Sequence, residues 1–321
     1  MANATVSRLG QANKSGGTTA LFLEKFTGDV LKYLNNAAIA ANHVYKKSIS
    51  EGISHKFDMV GKTVAAYHTP GAEITGTAIA HNEKTITVDG IHYSDVFVGE
   101  WDELINHTEV RSEYAKQLGE ALAIEKDELL FRCAYLASQN ATPICTDFNT
   151  GASLTLAAGN AAVTTSTFTA AFSAGLFKAA QNFAEKNVNM AEVKCFVKPD
   201  VYYALAQDTD LYNRDYSGGG DYSEGMVSKV AGVPIIKSNN VPRTNRAADD
   251  GLQNNSYVSD CSDLAALIFA PKAVALLERK GLTTEATYDE RRFGTLMTAR
   301  QVWGASWLRD DHAYAIEFSA A

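Results

Sequence analysis

The run from His107 to Gln139 constrains the fold more than any other part of the chain. Its large apolar side chains stand at Val110, Tyr114, Leu118, Leu122, Leu129, Cys133 and Leu136, mostly three or four residues apart, with Glu, Lys, Arg and Gln between them. This period predicts a single helix. Asn106 or Thr108 supplies an N-cap oxygen, Glu109 and Glu113 suit the positive end of the helix dipole, and Pro143 closes the pattern. About 30 residues at 1.5 Å each make a rod of roughly 45 Å. A rod that long outspans a small domain core, so it is expected to act as a spine on which other parts hang. Gly119 costs about 1 kcal/mol against Ala within it, which predicts close packing at that point.

On either side the texture differs. Residues 1–19 are polar and cannot build a core, so they read as an arm. Phe22, Phe26, Val30, Tyr33 and Leu34 then form the stripe of a short amphipathic helix, which packs on a neighbouring surface or on its own domain. From Gly52 to Phe97 the pattern is β, and Phe57–Tyr67 is expected to pair with Ala78–Val88 across the Pro70–Gly76 turn region. A two-stranded ribbon is marginal in water, no later segment reads as its cover, and a partner subunit is the economical answer.

After the spine, Thr146–Thr165 reads as a loose stretch. A helix follows with Phe168, Phe172, Leu176 and Phe183 on one face and Ser166 or Thr167 as cap. A strand at Val193–Val197, a helix at Asp200–Gln207, a loop at Asn213–Gly225 and a strand at Val230–Ile236 come next, then a polar stretch at 243–256. The chain is expected to finish with a strand at Ala265–Ala270, a helix from Pro271 to about Leu277, and strands at Leu282–Asp289, Leu296–Trp307 and Ala313–Phe318. This mixture predicts an α+β fold.

Composition narrows the function. Among 321 residues, 29 basic against 37 acidic give a net charge of −8, which argues against electrostatic capture of nucleic acid. No apolar stretch approaches the roughly 20 residues that span a bilayer, and no membrane partner is expected. Cys133, Cys145, Cys195 and Cys261 form no CxxC pair and read as reduced, mostly buried thiols, consistent with cytoplasmic folding. Neither HExxH, GxSxG nor GxxxxGK[ST] occurs, and Gly218–Gly219–Gly220 reads as a surface loop. The acidic groups Asp208/Asp210, Asp249/Asp250 and Asp310–Asp311–His312 suit a divalent cation or paired carboxylates, but adjacent loop acids are usually solvated. We therefore expect no enzyme, cofactor, metal or catalytic residue. Arg291, Arg292, Arg300 and Arg309 lie near Glu285, Asp289 and Glu290, where salt bridges within or between subunits are the ordinary use.

The residues themselves are more specific than this outline. Ile105–Asn106–His107, Val110–Arg111–Ser112–Glu113–Tyr114 and Gln117–Leu118–Gly119–Glu120–Ala121–Leu122–Ala123 closely resemble the spine helix of major capsid proteins from short-tailed bacteriophages of the Autographivirus type. Ala20–Leu23, Gly28–Leu31, Gly61–Lys62–Thr63, Ala65–Tyr67, Pro70–Gly71 and Ile86–Gly90 resemble the same family, and the likeness is strongest over residues 20–125. It implies the capsid fold of phage Hong Kong 97, with an N-terminal arm at 1–51, an E-loop hairpin at 52–98, a P-domain at 99–162 and 282–310, and an A-domain at 163–281 and 311–321. By the same resemblance the chain is the self-assembling subunit of an icosahedral head enclosing double-stranded DNA. It implies pentamers and hexamers of this chain, a portal protein and packaged DNA held by weak non-specific contact. It also implies a separate scaffolding protein, because only some 105 residues precede the spine. Assembly in the host bacterial cytoplasm and residence in the virion follow. Lys62, Tyr67, Lys84, Arg111, Glu113, Arg291 and Arg292 are the inter-subunit contact candidates. The alternative within the same fold is the shell subunit of a cellular nanocompartment.

Overall fold

The computed structural model describes residues 38–101, 111–145, 147–157, 163, 165–207, 229–249 and 251–319. The expected arm before Ala38, the helix over Phe22–Leu34, the spine's start with its caps Asn106 and Thr108, and the loop Asn213–Gly225 lie outside the described residues. In chain order the elements are β1 (Tyr45–Ser48), β2 (Ser54–Val60), β3 (His81–Thr87), β4 (Ile91–Gly99), α1 (Arg111–Gln139), β5 (Ala152–Thr155), α2 (Ser166–Glu185), β6 (Lys194–Val197) and α3 (Pro199–Ala206). Then follow β7 (Lys229–Val230), β8 (Val233–Lys237), β9 (Asn245–Arg246), β10 (Ser259–Asp260), β11 (Leu264–Phe269), β12 (Val274–Asp289), β13 (Gly294–Trp307) and β14 (Ala313–Glu317). The expected α+β character holds.

Two compact units share these elements. The first takes its described residues from Ala38, Gly90–Lys126 and Arg279–Trp303. There β13 pairs antiparallel with β4 from Gly294 opposite Gly99 to Val302 opposite Ile91. The first half of α1 packs Leu118 and Leu122 with Val98, Met297 and Ala299. Gln301 donates to the Leu122 carbonyl at 3.3 Å, which ties sheet to helix.

The second unit comprises Ile39–Asp89, Asp127–Glu278 and Gly304–Ala321. Its six-stranded sheet runs β5-β14-β11-β6-β8-β7. All six residues of β11 are buried, since strands flank it on both sides and α2 and α3 contribute to the adjoining core. Helix α2 is capped by Thr165, whose Oγ1 accepts from the Phe168 backbone N–H at 3.3 Å; the expected caps Ser166 and Thr167 are already inside the helix. At its C-terminus Asn187 takes a left-handed φ of 58°, and the N–H groups of Asn187 and Val188 return to Ala184 and Phe183.

Three expected elements change character. Val230–Ile236 is not one strand but a hairpin of β7 and β8, because Ala231 and Gly232 have φ of 52° and 80°, the signs a tight two-residue turn needs. The helix expected over Pro271–Leu277 is a single 3-10 turn, Pro271–Ala273, leading into β12. Helix-favouring Ala and Leu are overridden there by a parallel ladder to β1, Tyr45 opposite Ala275 through Ser48 opposite Glu278, and by burial of Val274 to Leu277. The loose stretch Thr146–Thr165 contains β5, which pairs in parallel with β14.

The second half of α1 is enclosed rather than amphipathic, with Leu129 to Ala134 all buried, Arg132 among them. Arg132 donates to the Thr244 carbonyl at 3.2 Å, the Ser259 carbonyl at 3.1 Å and Glu128 at 2.8 Å, so it fastens the β9–β10 segment to the helix. Asp127, one turn earlier, accepts from the backbone N–H groups of Ile39 at 2.6 Å and Ala41 at 3.3 Å and from Asn240 at 3.2 Å. Burial pushes its carboxyl above the usual range, against the pull of those donors.

Gly119 is a correction. Among the described residues, a Cβ built there would meet only Leu282, at 3.6 Å, an ordinary van der Waals distance, so none of them packs closely enough to exclude a side chain. Gly119→Ala is therefore expected to raise stability by up to about 1 kcal/mol through lower unfolded-state entropy and better helix propensity, read as a higher melting temperature. A lowered melting temperature would contradict this.

Candidate subunit interface

Strands β2 and β3 pair over seven residues, from Ser54 opposite Thr87 to Val60 opposite His81, so the ribbon spans about 23 Å. It is shorter than the expected arms: beyond a Gly61 N–H to Ala80 carbonyl bond of 2.8 Å, residues 62–79 form no strand. Strand propensity does not account for this, since Thr63, Val64, Tyr67, Ile74, Thr75, Thr77 and Ile79 all favour strands; Pro70 and the left-handed Gly71 and Gly76, with φ of 88° and 80°, interrupt the run.

The ribbon's root is also covered by its own chain, contrary to the expectation that only a partner could shelter it. Phe57, Met59 and Ile86 are buried. Asp89, itself buried, accepts through Oδ1 from the backbone N–H groups of Asn254 at 2.7 Å and Asn255 at 3.1 Å and from Asn255 Nδ2 at 3.0 Å, and through Oδ2 from the Tyr257 hydroxyl at 2.5 Å. The side-chain amides of Asn254 and Asn255 donate to the carbonyls of Val88 and Thr87. On the other side, Asp147 Oδ2 accepts from the Lys62 N–H at 3.2 Å and Asn82 donates to the Ile144 carbonyl. These clamps come from stretches that read as polar loops; the signal was the density of Asn and Asp, which hydrogen-bond backbone locally.

Among the described residues, the run from Lys62 to Ile79 stays uncovered. Val64, Tyr67 and Ile74 are at least 80% exposed there. Burying three such side chains is worth about 5 kcal/mol or more, which makes the run a candidate contact surface.

The seven candidates separate accordingly. Lys62 and Tyr67 stand on this exposed run. Lys84 is used internally: its ammonium sits 3.5 Å from the centroid of the Trp307 ring, and burial lowers its pKa despite nearby Asp310. Arg111 and Glu113 fall on α1, with side chains outside the described residues. Arg291 and Arg292 occupy the exposed turn between β12 and β13, where Arg292 meets Asp289 at 3.5 Å. Arg300 pairs with Glu285, and Arg309 with Asp311.

The acidic groups weighed for metal chemistry fare differently. Asp208, Asp210 and Asp250 lie outside the described residues, and among the described residues no cluster of three or more His, Cys, Asp or Glu is placed to hold an ion. Asp310, Asp311 and His312 are buried, not solvated. Asp311 is clasped by Arg309 at 3.0 and 2.6 Å, and Asp310 accepts from Asn140 at 3.0 Å. Burial raises Asp310 to about 7 and lowers His312 to about 4.

Comparison with known proteins accords with this geometry. The capsid structure of bacteriophage PhiM1 superposes with a TM-score of 0.78 at 21% identity, covering 98% of this chain and 97% of that one, which shows the tailed-phage capsid fold. The capsid structure of Cyanophage P-SCSP1u covers 100% of both chains, with a TM-score of 0.84 and 35% identity. The major capsid protein of Escherichia phage T7 is 31% identical over 240 residues, 70% of this chain and 66% of that protein, so the match spans just under two thirds of the relative's length. A family model described as Gp10A-like major capsid protein matches residues 57–317. The chain belongs to the Gp10A-like major capsid protein family.

The buried Asp310–His312 pair yields a pH prediction. Asp310, with its pKa raised on folding, favours the fold below about pH 4 and loses that stability as pH rises to 7; His312, with its pKa lowered, loses stability as pH falls from 6.5 to 4. In the wild type these slopes oppose each other. Asp310→Asn should leave a protein that weakens on acidification between pH 6.5 and 4, and His312→Gln one that weakens on going from pH 4 to 7, each by on the order of 3 kcal/mol in denaturant titrations. Parallel pH profiles in both variants would contradict the assignment.

Proposed function

We propose that this chain is the repeating subunit of the closed icosahedral head of a tailed bacteriophage, and that it carries out no catalysis. One observation carries the reading: residues 62–79 leave the body as an uncovered run bearing Val64, Tyr67 and Ile74, while the root beneath them is clamped. A chain that holds an apolar segment out from a fixed root makes heterologous contacts, and such contacts close into rings when copies are related by rotation. Pentamers and hexamers are the rings an icosahedral shell needs.

On this reading 1–51 is the N-terminal arm, 52–98 the E-loop, 99–162 with 282–310 the P-domain, and 163–281 with 311–321 the A-domain. A separate scaffolding protein and a portal protein are the partners of assembly in the host bacterial cytoplasm, and the virion is the final location. The net charge of −8 suits a wall that binds packaged DNA weakly. The phage relatives above favour a head over a nanocompartment.

Replacing residues 62–79 with a short Gly-Ser turn should leave a folded protein with an unchanged melting temperature that no longer forms shells by electron microscopy or sedimentation. Normal particles from that variant would refute the role of this segment.

A further inference from the structure

The first unit carries a second bare surface. Phe293 has φ of +48°, a left-handed conformation that is strained for a bulky side chain. Two other described non-glycine residues share that sign, and both have local reasons: Asn187 ends a helix and Ala231 sits in a tight hairpin turn. Phe293 closes the turn between β12 and β13, but it puts a bulky aromatic where such a turn usually takes Gly or Asn, and it is 69% exposed. The turn is locked around it. The Glu100 N–H donates to the Phe293 carbonyl at 2.9 Å, and Gly294 leaves no room for a side chain, since a Cβ would lie 2.5 Å from the Val98 carbonyl oxygen. The fold thus holds an aromatic ring in water at a cost in backbone strain.

Its surroundings indicate a partner. Trp101, next to Glu100 in the chain, is 71% exposed. The guanidinium of Arg291, on the same turn, makes no hydrogen bond or ion pair among the described residues. Strand β4, in the same unit, is among the described residues hydrogen-bonded on one side, to β13, and its outward residues Ile91, Tyr93 and Asp95 are exposed. Asp95 likewise has no partner among the described residues. An aromatic ring with an arginine therefore stands on one part of the unit, and an apolar strip with a carboxylate on another. The ladder keeps them apart within one copy, because Asp95 pairs with Thr298, four residues or about 13 Å beyond Gly294.

We infer that Phe293 and Arg291 of one copy dock on the Ile91–Tyr93–Asp95 strip of a second copy of this chain, the ring on the apolar residues and the guanidinium on the carboxylate. Aromatic and arginine side chains are the usual anchors of such contacts, and the charges are complementary. The inference rests on the shell reading and names a contact separate from residues 62–79.

The test uses the full chain under conditions in which the wild type forms particles. Phe293→Gly relieves the strained conformation, so its melting temperature before assembly should stay level or rise while particle yield falls at least tenfold. Arg291→Asp and Asp95→Arg should each lower yield severalfold, and the double variant should recover at least half of the wild-type yield. Wild-type yields from the single variants, or no recovery in the double, would overturn the inference and leave the shell reading standing. Failure of the wild type to form particles at all would sink the shell reading instead. Binding of a labelled single-stranded oligonucleotide that is lost in Arg291→Asp, with particle yield unchanged, would assign the patch to nucleic acid and overturn it too.

Discussion

The carboxylate of Asp89 and the donors gathered around it are the interaction on which the rest depends. Two backbone N–H groups, one amide and one phenol converge on this buried side chain, and the phenol of Tyr257 in turn accepts from the Ala305 N–H at 3.1 Å. A buried charge is tolerated only when its oxygens are satisfied, so the loop 254–257, the end of β3 and the start of the last part of β13 have one mutually acceptable arrangement. That arrangement fixes the root of the ribbon. Without it, the ribbon would have the marginal stability of an isolated two-stranded sheet.

The same economy recurs along the spine. Asp127 and Arg132 are buried polar groups in the enclosed half of the helix, and each bonds backbone from distant parts of the chain, Asp127 at Ile39 and Ala41 and Arg132 at Thr244 and Ser259. Helix α1 therefore serves as a frame whose polar contacts choose which loops may lie against it. The apolar contacts supply adhesion, and the buried polar ones supply register. These joints are over-determined, whereas the side chains of Val64, Tyr67, Ile74 and Phe293 are left exposed.

Much of this was legible in the residues, at the level of which parts exist. The long helix, α2, β6, β11, β13 and β14 follow from periodicity and apolar runs, and the family could be recognised from the spine residues and the Gly61–Tyr67 stretch. The misreadings share a cause. Val274–Leu277 has helical composition but lies in a strand because β1, more than 200 residues away in sequence, pairs with it. Asn254 and Asn255 look like surface loop residues and are instead clamps, because Asn bonds backbone as readily within a protein as in a turn. Asp310 and His312 look solvated and are buried, because the strands beside them close over that turn.

The sequence alone determined the local preferences: that a long helix runs to Gln139 and that a β ribbon precedes it, but not how far the ladder of that ribbon extends. Those are properties of neighbouring residues, settled by backbone sterics and side-chain period. Only the tertiary structure decided which polar groups are buried, which apolar ones are left bare, and where the strain at Phe293 is held. These outcomes depend on contacts between residues far apart in the chain, whose free energies exceed the fraction of a kcal/mol by which local preference distinguishes one conformation from another.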